Sequence, residues 1–451
     1  MTTSQQRRSI LSGLLLIFLG VIFLLYRFEP QLDVGRLIWR FWPVLFILWG
    51  VAKLIDHLAA QRTGERTTVL TGGEAALLIL VFFALAALGI VDHIRKHHPD
   101  LDLRMNNPFS QKYSQTDALP AKKVGANAHI TIQTERGNIS VHAGDGDELR
   151  VTANKSASDE NESEADRRMA EVKAVIEQTS DGYRVHPANQ EDSSGDVGVD
   201  LDIEVPKKAS LTASTSRGDI TLAGIAGAIE ADTRNGDVEI HDAGSDVAVT
   251  VEKGNVRVTG IAGNFRLSGH GNEIDVSDVA GDATFDGEFF GPIRVRNVVK
   301  TTHYTSQRSD LTLVHMTGRM ELDSGDLQVS DVAGSAKLTT HNKDVDVENV
   351  AGRLDISDSH GDIKMHYSQP PTDEIDVTDD SGEVELTMPE KSSFEISAFS
   401  RGGEIATDFE GPTLQQTNDD NVGKLNGKFG SHGPKITIVT SYGTISLHKS
   451  S

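Results

Sequence analysis

Acidic and amide side chains recur at one position of the sequence, each directly before a short alternation of apolar and polar residues. Pro292 interrupts the series, whose other members are Asp219, Asp237, Asn255, Glu273, Asp310, Asp326, Asp344, Asp362, Glu383 and Glu404. Carboxylate oxygens are ligands that Ca²⁺ prefers, and on stacked strands neighbouring carboxylates would lie about 4.8 Å apart. The series allows a cation-binding edge, for which the candidates are Asp310, Asp326, Asp344, Asp362 and Glu383.

The same residues have a simpler, structural explanation. Asp and Asn that follow a glycine commonly bond backbone groups of the turn. A repeated turn would then repeat the residue without any ligand. Adjacent exposed carboxylates would repel each other by only about 1 kcal/mol in water, so their charge does not forbid a column. We favour the turn interpretation and keep the cation-binding edge as the alternative.

Other catalytic or metal-binding patterns are absent from the sequence. The chain has no cysteine, which excludes disulfides, thiolate zinc sites and cysteine nucleophiles. The tandem His97-His98 follows an apolar run and is better explained as an interfacial pair than as a metal site. The remaining histidines have no HxH or HExxH spacing; they include His270, His303, His315, His341 and His360. The segment Gly144–Asp147 lacks the rest of an EF-hand loop. The sequence therefore predicts no enzyme, no cofactor and no established metal site.

The charge of the chain argues against nucleic acid as a partner. The formal net charge is −23, with +3 on the first 100 residues and −26 on the rest. A domain this acidic is repelled by phosphate backbones.

Three apolar runs near the start predict membrane-spanning helices at residues 10–26, 37–55 and 75–91. Each has 17 to 19 residues, near the lower end of the roughly 17–25 needed to cross a hydrocarbon core. A cleaved signal peptide is the alternative for the first run, but no small-x-small cleavage site follows it. With Arg7 and Arg8 inside, three spans place the rest of the chain outside the cytoplasm. We expect a multi-pass protein of a bacterial cytoplasmic membrane.

The first two runs resemble a known module. Ser12–Val21 and Arg40–Gly50 are similar to the LiaI/LiaF-type transmembrane module of bacterial envelope proteins. The third run is an addition to that helical hairpin.

An internal repeat dominates the rest of the chain. The unit at Ile220 is followed by units at Val238 and Val256, each 18 residues after the one before. Apolar residues occupy the first, third, sixth, tenth and twelfth positions of a unit, and glycine often occupies the eighth. Later units start at Ile274, Ile293, Leu311, Leu327, Val345, Ile363, Val384, Ile405 and Ile445. Two short strands per unit, each with one apolar face, bury a core only when units stack. The pattern predicts an all-β fold, a single-stranded, β-helix-like β-solenoid with rungs of about 18 residues.

The repeat region also resembles the bacterial toast-rack family, a group of β-solenoids also called the "putative adhesin" family. The resemblance rests on Val199–Pro206, on Thr215–Leu222 and on the repeated Gly-Asp-Val/Ile and Val-Ala-Gly blocks. It implies a protein of the cell envelope, since members often accompany LiaF-type membrane modules and are discussed in envelope stress or at the cell surface.

These observations predict a transmembrane region at 1–95, a linker at 96–124 and a β-solenoid at 125–451, with a hairpin at Val172–Val185. We expect a non-enzymatic accessory, scaffold or regulator in envelope-stress sensing. Its predicted partner is another envelope or membrane protein, with self-association through solenoid edges as a further contact. A surface-facing adhesive or matrix-binding module is the alternative.

Overall fold

The computed structural model describes residues 111–159, 161–190, 197–419 and 422–450. The chain divides into two units, Met1–Asn106 and Asn107–Ser451, and all the described residues belong to the second. The predicted spans at 10–26, 37–55 and 75–91, together with His97 and His98, lie outside the described residues. Within that part of the chain, no helix is long and apolar enough to cross a membrane.

The second unit is built from two parallel stacks of short strands, which we call stack A and stack B. Along stack A the order is β8 (Val197–Pro206), β4 (Ile139–Gly144), β10 (Ile220–Ala223), β12 (Val238–Ala243), β14 (Val256–Ile261), β16 (Ile274–Val279) and the first half of β18 (Ile293–Thr305). Along stack B it is β7 (Tyr183–Ala188), β3 (His129–Arg136), β9 (Ser210–Arg217), β11 (Ile229–Thr233), β13 (Val247–Val251), β15 (Phe265–Gly269), β17 (Ala283–Gly287) and the second half of β18.

Both stacks continue beyond one antiparallel strand, β19 (Asp310–Leu322). Stack A resumes with β20 (Asp326–Val332), β22 (Asp344–Val350), β24 (Ile363–His366), β26 (Val384–Pro389), β32 (Ile445–Ser450) and β28 (Ile405–Thr407). Stack B resumes with β21 (Ala336–Thr339), β23 (Leu354–Asp358), β25 (Ile375–Ser381), β31 (Lys435–Tyr442) and β27 (Phe394–Ser400). Each unit of the repeat contributes one strand to each stack, as a solenoid-like fold requires.

The apolar positions of the repeat point into the core, as the sequence predicts. In the unit at Val238, the first and third residues, Val238 and Ile240, are buried, and Glu239 between them is half-buried on the outer face. The two strands of one unit thus bury a single shared interior. Because neighbouring units pair at every strand, each rung covers the apolar face of the next.

Two backbone features make the corner between the strands of a unit. The sixth residue, such as Ile261, is buried at the corner. The fifth residue adopts a left-handed conformation, and Asp242 has φ 55° there; Asp and Asn tolerate this conformation better than most residues. At the eighth position, a Cβ on Gly352 would lie 2.7 Å from the carbonyl carbon of Gly334 on the next rung. Glycine is required there because two backbones approach closely.

Strand β19 reverses the chain in the middle of the two stacks. It pairs antiparallel with β18 on one side and with β20 and β21 on the other. Leu311 faces Tyr304 and Leu338 in stack B, whereas Leu322 faces Ile293 and Leu327 in stack A. The prediction that the unit at Leu311 repeats the others in the same direction is therefore wrong.

The start of the β unit lies within the segment predicted to be a linker. Strand β1 (Gln111–Ala118) pairs antiparallel with β5 (Glu148–Asp159), which pairs antiparallel with β8. Strand β2 (Lys122–Lys123) also pairs with β5. Strands β1 and β2 thus lie before the predicted boundary at 125. Sequence reasoning missed β1 because six of its eight residues are polar.

A helix and a hairpin complete this end of the unit. Helix α1 (Glu162–Glu171) begins after Asn161, whose side chain accepts the backbone N–H of Ser163. Strand β6 (Lys173–Gln178) pairs antiparallel with β7, which confirms the predicted hairpin.

The last two strands in sequence do not end the stacks. Strands β31 and β32 lie between the rung β25–β26 and the rung β27–β28. We call this inserted pair, Lys435–Tyr442 with Ile445–Ser450, the C-terminal clasp. Strand β30 (Val422–Phe429) then pairs antiparallel with β27, and β29 (Gln415–Asp419) pairs with β30.

Candidate functional site

The acidic series of the sequence forms a hydrogen-bonded ladder along the edge of stack A, which we call the A ladder. At most steps, a side-chain oxygen accepts the backbone N–H of the equivalent residue on the next rung; at Asp344, the carbonyl of Gly325 accepts that N–H instead. The first four accepting side chains are Asp200, Asn138, Asp219 and Asp237, whose distances to the N–H groups of Asn138, Asp219, Asp237 and Asn255 are 2.8, 2.9, 2.8 and 2.8 Å. The residue type is therefore explained by an acceptor that bonds from one rung to the next.

The ladder resumes beyond the reversed strand. Oδ1 of Asp344 accepts the N–H of Asp362, and Oδ1 of Asp362 accepts the N–H of Glu383, both at 2.9 Å. Asp326 pairs in register with Asp344. Four of the five candidate cation ligands thus lie in one column, on rungs that follow one another.

The fifth candidate, Asp310, is not in this column. It lies at the start of β19 in stack B, in register with Thr305 and Thr339. The prediction of its position is wrong because β19 runs in the opposite direction. Its place next to Asp326 is taken by Asp323, whose Oδ1 accepts the N–H groups of Gly325 and Asp326, each at 2.8 Å. These bonds lower the pKa of the Asp323 carboxyl, and the bond from the Asp326 N–H has the larger effect.

A second ladder runs along stack B and was not anticipated from the sequence. Oδ1 of Asp246 accepts the N–H of Asn264 at 2.7 Å, and Oδ1 of Asn264 accepts the N–H of Asp282 at 2.9 Å. Asp282 in turn accepts the N–H of Thr301 at 3.1 Å. A detectable signal existed, because these residues directly precede the tenth position of three successive units.

Arginine side chains compensate part of the acidic charge beside the A ladder. Arg294 contacts Glu273 and also donates to Glu321 (3.0 Å), and Arg296 donates to Asp275 (2.9 Å). These side chains are at least partly exposed, so each pair contributes little to stability. A small depression on this face is lined by residues that include Asp237, Glu239, Asn255, Arg257 and Asp275. The whole lining carries four carboxylates, from Asp237, Glu239, Glu273 and Asp275, and one guanidinium, from Arg257.

The described residues contain no group of three or more His, Asp or Glu side chains placed to hold a metal ion. The histidines singled out in the sequence are distributed over separate turns and strands. Of these, His303 bonds the hydroxyls of Thr312 and Thr305, at 3.0 and 2.9 Å. His270, His315, His341 and His360 are exposed. Four of the five acidic candidates therefore lie along one edge of stack A, where side-chain oxygens bond backbone N–H groups of neighbouring rungs.

Comparison with known proteins identifies both parts of the chain. Residues 11–96 match the LiaF transmembrane domain, and residues 127–264 and 268–448 match the family described as Toastrack DUF4097. No curated protein shows significant similarity to the chain.

Three solved structures match the chain at very low sequence identity. A "putative cell adhesion protein" from Clostridium sporogenes is 8% identical, with a TM-score of 0.15, and the match covers 75% of this chain and 100% of that one. A "putative adhesin" from Bacteroides fragilis is 13% identical, with a TM-score of 0.18 and coverage of 74% and 97%. A "putative lipid binding protein" from Parabacteroides distasonis is 11% identical, with a TM-score of 0.19 and coverage of 74% and 97%.

The family match covers more than half of the chain and coincides with the stacked strands described above. The chain belongs to the toast-rack family and carries a LiaF-type transmembrane domain before its β-solenoid.

Proposed function

We propose that this protein is a membrane-anchored, non-enzymatic component of the bacterial cell envelope that acts through protein–protein contacts in envelope-stress sensing, as an accessory, scaffold or regulator. The observation that carries the proposal is the combination of two matches in one chain. A LiaF-type transmembrane domain at 11–96 precedes a toast-rack region at 127–448.

The membrane part supports a role beyond anchoring. A β-solenoid that needs only attachment to a membrane can be held by one span, whereas this chain has three apolar runs. Gly13 and Gly20 lie seven residues apart in the first run and so on one helical face. Small residues on one face permit close contact with another helix. We propose that this face contacts another membrane protein.

The β part supports recognition of a protein surface. Its outer face carries charged and polar side chains that change from rung to rung, such as Glu239, Arg257 and Asp275. Exposed strand edges at the ends of the stacks offer unpaired backbone groups to a partner or to a second copy. Strand β1 at one end and β29 at the other are both largely exposed.

The proposed orientation follows from charge and span number. Arg7 and Arg8 precede the first run and favour an inside N-terminus. Three spans then place the toast-rack region outside the cytoplasm, in a multi-pass protein of the cytoplasmic membrane.

The test replaces residues 1–95 with an unrelated three-span anchor of the same orientation. If the membrane part binds a partner, a strain that carries only this chimera should lose its wild-type response to envelope stress, read from survival and from a stress-promoter reporter. Two controls are needed: protease accessibility of the toast-rack region on spheroplasts, and a chimera that keeps residues 1–106 and carries an unrelated exported domain.

The outcomes separate the two functions. Loss of the response in both chimeras supports a role that needs both parts, provided that the toast-rack region of the anchor-swap chimera is folded and exposed. A fully active anchor-swap chimera would refute the proposal and make the adhesive or matrix-binding function the better explanation.

A further inference from the structure

One inward position of stack B, at the end of the strand, carries a polar side chain on several rungs and an apolar residue or glycine, such as Val251, on others. At three rungs, a buried hydroxyl at this position donates to a glycine carbonyl of the adjacent rung. The bonds run from Thr215 to Gly137 (3.1 Å), from Thr233 to Gly218 (3.2 Å) and from Ser400 to Gly443 (2.7 Å). The site therefore provides a carbonyl acceptor and needs a donor opposite it.

Asp379 occupies this position on β25, where those three rungs have a hydroxyl. It is in register with Asp358 on β23 and with Thr440 on the C-terminal clasp, and its side chain is 1% exposed. Neither carboxylate oxygen accepts a hydrogen bond of acceptable geometry. Burial raises the pKa of this carboxyl, and the nearby backbone amides of Ser381 and Asp380 offset part of that effect.

The groups around Asp379 do not neutralise its charge. Asp358 faces it from β23, and Asp380 acts on it from its own strand, so both charges are of the same sign. Asp358 is itself satisfied, because Thr340 Oγ1 donates to it at 2.7 Å and the N–H of His360 at 3.0 Å. From the clasp, Thr440 presents a buried hydroxyl that also lacks a hydrogen-bond partner.

The acceptor equivalent to those of the hydroxyl rungs is the carbonyl of Gly361. Gly382 on the Asp379 rung stacks on Gly361, as Gly236 on the Thr233 rung stacks on Gly218. An ionised carboxylate would place an acceptor against that acceptor, whereas a protonated carboxyl group has an O–H to donate. The geometry of this position thus favours the neutral form.

We propose that Asp379 holds a proton in the folded protein and that loss of this proton loosens the C-terminal clasp, so that the seating of β31 and β32 depends on pH. The inference concerns the fold of the toast-rack region and does not depend on the proposed function. The clasp is the responsive element because Thr440 on β31 is in register with Asp379, and because β31 and β32 are inserted between rungs formed by earlier residues.

The direction of the pH dependence follows from the change in the pKa of Asp379 on folding. Burial, with added repulsion from Asp358 and Asp380, raises the pKa of the Asp379 carboxyl to about 6. A carboxyl group whose pKa is higher in the folded state than in the unfolded state favours folding at low pH. That contribution is fully present below the unfolded-state pKa of about 3.9 and is lost as the pH rises through about 6.

The experiment measures amide hydrogen exchange by mass spectrometry on the full chain in lipid nanodiscs between pH 5 and pH 7.5. Rates are corrected for the intrinsic pH dependence of exchange and compared in peptides from the clasp and from β12–β14. For the wild type, we expect protection of the clasp to be about tenfold higher at pH 5 than at pH 7.5, from the two pKa values above.

Three variants test whether Asp379 is the group that holds the proton. Asp379→Asn and Asp379→Thr both supply a neutral donor, and both should make protection of the clasp nearly independent of pH. The threonine variant copies Thr233, so it remains informative if the asparagine variant does not fold. Asp380→Asn removes an exposed carboxylate on the same strand and should keep most of the wild-type dependence.

Two results would overturn the proposal. One is a wild-type clasp whose corrected protection does not change over this range, or changes equally in Asp379→Thr. The other is a change of the same size in β12–β14, because the proton would then act on the whole solenoid and not on the clasp.

Discussion

The A ladder can be tested by separating the hydrogen bond from the charge. Asp219, Asp237, Asp344 and Asp362 each accept one backbone N–H of the next rung. Replacing all four by Ala removes four acceptors, whereas replacing them by Asn keeps an oxygen at the same place. Asn138 already accepts the N–H of Asp219 at 2.9 Å, which shows that an amide serves.

The Ala and Asn variants should differ in their stability relative to the wild type. A hydrogen bond of this kind contributes about 1 kcal/mol, so the Ala variant should be less stable by about 4 kcal/mol if the four sites are additive. The Asn variant loses carboxylate repulsion, about 0.9 kcal/mol for a pair 4.8 Å apart in water, and the exposed bond that Oδ2 of Asp237 accepts from the Asn255 side chain at 3.3 Å. Its stability should therefore equal or slightly exceed that of the wild type, and the gain should shrink as salt is added.

The assay is thermal unfolding of the full-length, detergent-solubilised protein, followed by the far-ultraviolet circular dichroism of the strands. Tryptophan fluorescence is unsuitable because Trp39, Trp42 and Trp49 all lie in the transmembrane region. Each variant is measured in a chelator and in millimolar calcium at low ionic strength. An Asn variant as unstable as the Ala variant would refute the ladder explanation. A calcium-induced rise in melting temperature that only the wild type shows would support the cation-binding edge.

Three further predictions follow from individual side chains and from the topology. Lys155 is buried, with its Nζ 2.6 Å from Asp117 and bonded to the carbonyls of Met169 and Val172; Lys155→Met should therefore destabilise the protein by about 3 kcal/mol, measured by denaturant unfolding, and speed amide exchange in α1. Val347→Asp buries an unpartnered charge between rungs and should cost several kcal/mol, whereas the exposed control Asp346→Asn should leave the melting temperature within about 1 °C. A reporter that is active only after export, fused after Ser451, should be active; a silent reporter with an active cytoplasmic counterpart would reverse the proposed orientation.

Much of the β-solenoid could be predicted because each unit of the repeat contains the apolar residues of its own part of the core. Strands too short to be stable alone must present alternating apolar residues, and Val238, Ile240 and Ile261 are buried at the expected positions. The glycine at the eighth position is also required by the close approach of two rungs, as Gly352 shows. These features depend on nearest neighbours, so one sequence is enough to reveal them.

The direction of β19 could not be predicted from the same signal. An alternation of apolar residues on both sides of a corner looks almost the same when it is read backwards. Leu311 and Leu313 mirror Met320 and Leu322 about Met316, and all five are buried. Direction is set by the tight turns on either side, where Ser306 bonds Ser309 and Asp323 bonds Asp326. The position of Asp310 was wrong for this reason alone.

The clasp was hidden from sequence analysis for a different reason. The unit at Ile445 has the apolar residues of an ordinary rung, and these specify only that it stacks on some neighbour. Ile436 in fact pairs with both Ile375 on β25 and Ile396 on β27. These two strands are successive members of stack B along the sequence, but the clasp lies between them in the structure. Which gap a rung fills is decided by chain connection and by the fit of the whole stack.

Pro292, the exception in the acidic series, shows what the A ladder requires. Oδ1 of Asn255 accepts the N–H of Glu273 at 3.2 Å, and the ladder would next need Glu273 to accept an N–H from residue 292. Proline has no N–H to donate, and Glu273 instead contacts Arg294. On the other side of the reversal, Asp323 accepts the amides of its own turn. The acidic edge is thus divided at the point where the chain provides no donor, as expected of side chains selected to accept backbone amides. Cation binding does not require backbone N–H donors, so an edge selected for cations would not need to be interrupted where an N–H is missing.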